Sequence, residues 1–162
     1  MNDKINEIEE NKESNYITAE IIISEYSVNS DIKIIDRKGS TLKIDDETKP
    51  NECFHKFTNP GKHKIQYFFK DGYIFLDGMF SGCSSLAKID LSHFDSEDNS
   101  MNEFFCRCYS LKLIDLSNVN TKNIRHMDSM FYDCRSLTEL DLSSFNTLWA
   151  TDMNEMFSGC SS

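Results

Sequence analysis

Basic residues are scarce in this chain. Seventeen Lys and Arg stand against 27 Asp and Glu, for a formal charge of −10, and most of the imbalance lies in the second half. Nucleic acids and anionic membranes both select basic patches, so neither is expected as a partner. Long apolar runs are missing as well. No segment approaches the roughly 20 residues that a membrane-spanning helix needs, so no membrane insertion is expected. Residues 1–16 are acidic and polar, without the apolar stretch of a secretory leader. If the chain is complete, it is expected in the cytoplasm. Catalytic signatures are equally absent: there is no Gly-rich phosphate loop, metal-binding His pair or nucleophile motif. Only four His occur, and Cys106-Arg107-Cys108 has no second Cys pair at ligand spacing, which leaves no zinc site. Asp95-Ser96-Glu97-Asp98-Asn99 fails as a calcium loop, because Ser100 and Cys106 stand where glycine and glutamate are required. The chain therefore reads as a non-enzyme with no metal and no cofactor.

What the sequence does contain is a repeat. Met79-Phe80-Ser81-Gly82-Cys83-Ser84-Ser85 recurs letter for letter as residues 156–162, with degenerate copies at Phe104–Ser110 and Met130–Ser136. Phe80, Phe105, Phe131 and Phe157 step by 25, 26 and 26 residues, a period that marks stacked units. In each unit four apolar residues sit at i, i+3, i+4 and i+7, as in Met127, Met130, Phe131 and Cys134. That spacing predicts one buried stripe of a helix. Then follows Leu-x-x-Leu/Ile-Asp-Leu-Ser, at Leu86–Ser92, Leu111–Ser117 and Leu137–Ser143, whose alternation predicts a short strand. Strands are expected at Ile89–Leu91, Ile114–Leu116 and Leu140–Leu142. Cys83, Cys108, Cys134 and Cys160 fall on the buried stripe, where they read as a column of reduced core thiols.

These residues resemble the BspA-like repeats of microbial surface proteins, a 26-residue leucine-rich type, and Met130 to Thr147 matches that pattern best. The resemblance covers residues 74–162. It implies an α/β leucine-rich-repeat solenoid, with short parallel strands on a concave face and short helices on the convex one. It also implies adhesion or binding, and a place at the cell surface. About 3.5 units span residues 73–162, with the array truncated at its C-terminal end.

Residues 17–72 lack the period and predict a small all-β module that caps the array, or an independent Ig-like domain. Strands are expected at Ile17–Ile23, Asp31–Asp36, Thr41–Asp45, Phe54–Thr58 and Lys62–Phe69. Lys38-Gly39-Ser40 reads as a hairpin connection, and Asn59-Pro60-Gly61 as the turn of a second hairpin. His63, Ile65, Tyr67 and Phe69 share one strand face. His55 and His63 read as ordinary sheet positions. Residues 1–16 form an acidic tail too polar to join a core.

Alternation places three columns of side chains on the exposed strand face: Lys88, Leu113 and Glu139; Asp90, Asp115 and Asp141; Ser92, Ser117 and Ser143. Stacked Asp charges repel and need a donor or a cation nearby. One reading is a cation-attracting or basic-partner surface; the other is that Ser or turn backbone satisfies each Asp. The function expected is a non-enzymatic interaction module that meets an unknown protein partner through this face. The alternative is a purely structural fragment of a longer array, without binding of its own. The apolar stripe of Met153, Met156, Phe157 and Cys160, with no strand after it, predicts a weak homodimer through the C-terminal ends.

Overall fold

The computed structural model describes residues 15–36, 40–50, 52–69, 74–95 and 97–161. The acidic tail and Lys38-Gly39 lie outside the described residues, apart from Asn15 and Tyr16. Among these residues eight strands form: β1 (Tyr16–Ile23), β2 (Asp31–Lys33), β3 (Ser40–Ile44), β4 (Glu47–Lys49), β5 (Phe54–Lys56), β6 (Gly61–Phe69), β7 (Leu86–Asp90) and β8 (Leu113–Asp115). Six of them make a mixed sheet in the order β4-β3-β6-β1-β7-β8, while β2 and β5 pair separately. Helix is limited, among the described residues, to one 3-10 turn at Glu25–Ser27.

β-Branched residues set the first half. In β1 the inward positions Ile17, Ala19, Ile21 and Ile23 are buried, and stiff branched side chains suit a pleated, half-buried surface. β6 buries Ile65 and Tyr67 on the same side, with the Tyr67 hydroxyl donating to the Ile34 carbonyl at 2.7 Å. β3 and β4 are joined through Asp45 and Asp46, both at positive φ, the backbone that a two-residue hairpin demands. Phe54–Lys56 and Gly61–Phe69 do not form the hairpin that the sequence suggests: β5 pairs with β2, and β6 lies between β3 and β1. β2 and β3 likewise take different partners, so no hairpin joins them. β1 runs antiparallel to β7, and one sheet continues into the repeated half.

The expected α/β leucine-rich-repeat solenoid does not form. The fold is nearly all β. Among the described residues no helix precedes these strands, β7 and β8 are the one parallel strand pair, Ser100, His126 and Asp152 add isolated parallel bridges, and Leu140–Leu142 is not a strand. The stripe residues Met127, Met130, Phe131 and Cys134 are buried as their spacing implies, but on a chain of tight turns. Residues at positive φ recur four apart, at Gly78 and Gly82, Glu103 and Arg107, Ser129 and Asp133, and Glu155 and Gly159. A right-handed helix cannot contain them. Every second N–H closes a four-residue turn on the carbonyl three residues back, as in Met79 to Leu76, Ser81 to Gly78 and Cys83 to Phe80. The alternate N–H groups point out of the copy. Gly78, Phe80 and Gly82 donate to the carbonyls of Asn102, Phe104 and Cys106 at 2.7–3.0 Å, and the next two junctions repeat this arrangement. Bonds between copies have replaced the i→i−4 bonds of a helix.

Aromatic rings follow the same stacking. Phe80, Phe105, Phe131 and Phe157 form a ladder with centroids 5.8, 5.7 and 5.6 Å apart and nearly parallel planes. Tyr67 of β6 meets the first ring edge-on at 5.3 Å, and the Asp36 N–H donates to the Met79 carbonyl. The first copy is thus covered by the strands that precede it.

Candidate functional site

The exposed face of the six-stranded sheet carries the candidate site. Its register defines two rows. One runs Lys43, Gln66, Thr18, Asp90 and Asp115; the other runs Lys64, Glu20, Lys88 and Leu113. Alternation puts these side chains opposite the buried Ile and Leu residues of the same strands. Lys88 faces Leu113 and Asp90 faces Asp115 across the parallel β7–β8 pair. The first two members of two predicted columns are therefore adjacent.

The third members sit differently. Glu139 and Asp141 belong to no strand, and both are exposed. They line, with Lys88, Leu113, Asp115 and Leu140, an open depression of about 580 Å³. Leu113 is 56% exposed there, an apolar side chain ringed by charges of both signs. Ser117 and Ser143 are exposed at the rim, and Ser92 is half-buried.

Each Asp of the column is engaged by its own turn. The Ser92 N–H donates to Asp90 at 2.8 Å, the Ser117 N–H and hydroxyl donate to Asp115 at 3.0 and 2.7 Å, and the Ser143 N–H donates to Asp141 at 2.8 Å. The Ser117 and Ser143 bonds hold the Asp115 and Asp141 carboxyls below the ordinary carboxylate value. The hydroxyl-and-backbone reading of this column is the one with observed donors. Each carboxylate keeps further lone pairs toward solvent, because two oxygens offer about four acceptor sites.

The N-terminal strands add residues that sequence reasoning left out. Thr18, Glu20, Lys64 and Lys88 adjoin a second cavity of about 360 Å³ that Asp45 and His63 also line. The outward alternation of β1 was the available signal; its pairing with β7 was not. His63 is a structural residue here. Its Nδ1 meets Asp45 at 2.6 Å and its Nε2 meets the Asn59 carbonyl at 3.0 Å, so the ring bridges two turns. Partial burial pushes the Asp45 carboxyl up, but the His63 bond and the Lys64 N–H bring it net below its usual value. His55 pairs with Glu52 at 2.6 Å, and Phe57 packs between the two imidazoles. The two His do not converge on a common point.

All six cysteines are free thiols. Cys83, Cys108 and Cys134 are buried and Cys160 is half-buried. Burial pushes the Cys134 thiol up to about 12, and pushes Cys83 and Cys108 upward too. No group of three or more His, Cys, Asp or Glu among the described residues is placed to hold a metal. No helix among them is long and apolar enough to cross a membrane.

A family model described as "Mycoplasma protein of unknown function, DUF285" matches residues 51–162. Neither the curated proteins nor the solved structures contain a match.

Proposed function

The chain belongs to the DUF285 family, whose description states no function, and we propose from the sheet face itself that it is a non-enzymatic interaction module that binds a protein partner on the open face of its mixed sheet. The observation that carries this reading is Leu113, 56% exposed in a depression that Lys88, Asp115, Glu139 and Asp141 also line. An apolar centre inside a charged rim is the usual anatomy of a protein-binding patch. The likeness of Met130–Thr147 to BspA-like units supports the same class of function. Lys88, Leu113 and Glu139 would read the partner directly. Asp90, Asp115 and Asp141 would offer their remaining lone pairs, with Ser92, Ser117 and Ser143 holding them in place.

A second reading is that the column serves only the fold, and the Ser-to-Asp bonds favour it. Cross-linking mass spectrometry in the source cell separates the two, comparing the native chain with Leu113→Glu and with an Asp90/Asp115/Asp141→Asn triple variant. A partner cross-linked at Lys88 in the native chain and lost with Leu113→Glu supports the interaction reading. If the same proteins are captured by all three chains, or none by the native one, the face is not a binding site.

A further inference from the structure

Parallel bridges set Ser100, His126 and Asp152 side by side in three successive copies. The Arg125 N–H donates to the Asn99 carbonyl and the Thr151 N–H to the Arg125 carbonyl, both at 2.8 Å, which holds the preceding residues in the same register. Glu97, Asn123 and Trp149 each stand three positions before a bridge residue, so they fall in one column. Neighbouring chains stack about 4.8 Å apart, so the column spans about 10 Å. With Asn99, Lys122 and Arg125 these three side chains line an open cavity of about 400 Å³. Lys122 and Asn123 are exposed although a copy is stacked on either side of them. The column therefore points to solvent by its own direction.

The lining combines one large aromatic with polar groups that the fold does not use. Trp149 is the only tryptophan of the chain and is 60% exposed. Among the described residues, the side chains of Glu97, Asn99, Lys122, Asn123 and Arg125 make no hydrogen bond or ion pair. Two cations and one carboxylate leave the cavity with a positive surplus, in a chain whose formal charge is −10. A cavity of this size suits a small ligand that is oriented by a few convergent polar groups.

We propose that this cavity binds a carboxylated sugar of the uronic-acid class, stacked on Trp149. A pyranose ring has an apolar C–H face and a rim of hydroxyls, which matches one indole wall beside two amides and a carboxylate. The amides of Asn99 and Asn123 both donate and accept, and Glu97 accepts from hydroxyls. A single ligand carboxylate answers the positive surplus, and Arg125 can hold it through two parallel N–H bonds. A nucleotide fits less well, because its phosphate brings close to two negative charges beside Glu97. The cavity lies on a different surface from the sheet face, and this inference stands or falls independently of the reading given to that face.

The lone tryptophan makes the test direct, since its fluorescence reads occupancy in the full chain. Glucuronate, glucose and uridine monophosphate are the probes. Glucuronate should shift the Trp149 emission saturably at millimolar concentration, with glucose clearly weaker. Arg125→Gln should weaken glucuronate about tenfold, the scale of one lost charge-assisted bond, and leave glucose unchanged. Lys122→Gln, at an exposed side chain without a partner in the fold, gives the same test should Arg125→Gln alter the urea midpoint. Trp149→Ala should abolish binding as read by the side-chain amide signals of Asn99 and Asn123, while Trp149→Phe retains part of it. Leu113→Glu, on the sheet face, should leave glucuronate binding unchanged. The inference is overturned if glucuronate gives no saturable shift, if glucose binds as tightly, or if both charge variants bind glucuronate like the native chain. It is also overturned if uridine monophosphate binds more tightly than glucuronate, since the site would then be a nucleotide site.

Discussion

Removing one ring from the middle of the Phe ladder should cost far more than removing the last ring, and the structure sets the ratio. Phe105 is fully buried, stacked between Phe80 and Phe131 at 5.8 and 5.7 Å, and meets Phe104 edge-on at 4.6 Å. Burying a Phe and then cutting it to Ala costs about 3–5 kcal/mol. Each aromatic pair adds roughly 0.5–1.5 kcal/mol beyond area, so Phe105→Ala belongs at the upper end of that range. Phe157 keeps one ring partner and is 46% exposed. Its truncation should cost about half as much, roughly 1.5–2.5 kcal/mol. Domain stabilities lie at about 5–15 kcal/mol, so Phe105→Ala brings the protein to the edge of unfolding while Phe157→Ala does not. Urea titration followed by circular dichroism and by Trp149 fluorescence measures both, with Phe105→Leu as a folded reference that keeps most of the volume. Equal losses at the two positions, or a loss below about 1 kcal/mol at Phe105, would refute the ladder as a source of stability.

Thiol labelling of the native, reduced protein should modify Cys53 and Cys160 first and leave Cys83, Cys108 and Cys134 slow, because burial raises those thiols and shields them. Gly159→Ala should destabilise the last copy by about 1–2 kcal/mol. The residue sits at φ +79 and an added Cβ would run into the Asp133 carboxylate, whereas Gly61→Ala meets no atom and strains only the backbone; hydrogen exchange of residues 153–160 checks the first locally. On acidification, Asp45 should contribute a stability loss of definite sign. Its folded value lies below the ordinary 3.8, so its contribution is full above that value and disappears as pH falls through the folded one. Asp45→Asn should flatten that part of the acid unfolding curve.

The repeat and its inward residues were legible because burial depends on spacing, and a helical turn and a tight-turn ribbon both bring positions i, i+3, i+4 and i+7 inward. The backbone was not legible from that spacing. Five of the eight left-handed residues in the stacked turns are non-glycine: Glu103, Arg107, Ser129, Asp133 and Glu155. They hold positive φ because bonds between copies compensate the strain, and one copy read alone cannot reveal those bonds. Gly82 and Gly159 in the two identical copies were the available hint. Most strands before the repeat were visible from their branched residues, while their order was not, since β1 reaches β7 across about 65 residues. For that reason Lys88 with Leu113 and Asp90 with Asp115 could be paired from sequence, and Thr18, Glu20 and Lys64 could not join them. Glu139 and Asp141 were assigned a strand that their copy does not make.

The stacked turns also have an electrical direction. The peptide joining Phe104 to Phe105 accepts through its carbonyl from Phe80 and donates through its N–H to Met130, and its neighbours at Asn102–Glu103 and Cys106–Arg107 do likewise. Three columns of amides therefore run head to tail through the copies, and dipoles of about 3.5 D per peptide add along them as they do along a helix. The negative pole falls at the first copy, where the Asp36 N–H meets Met79 and the Lys33 ammonium lies against Gly82. The positive pole falls at Glu155, Phe157 and Gly159. In a chain with ten excess negative charges this polarity is set by the backbone, and mutation of basic side chains would leave it intact. Chains of hydrogen bonds polarise one another by about 10–30% per bond, so each junction tightens its neighbours as well as itself, and loosening one copy weakens the next.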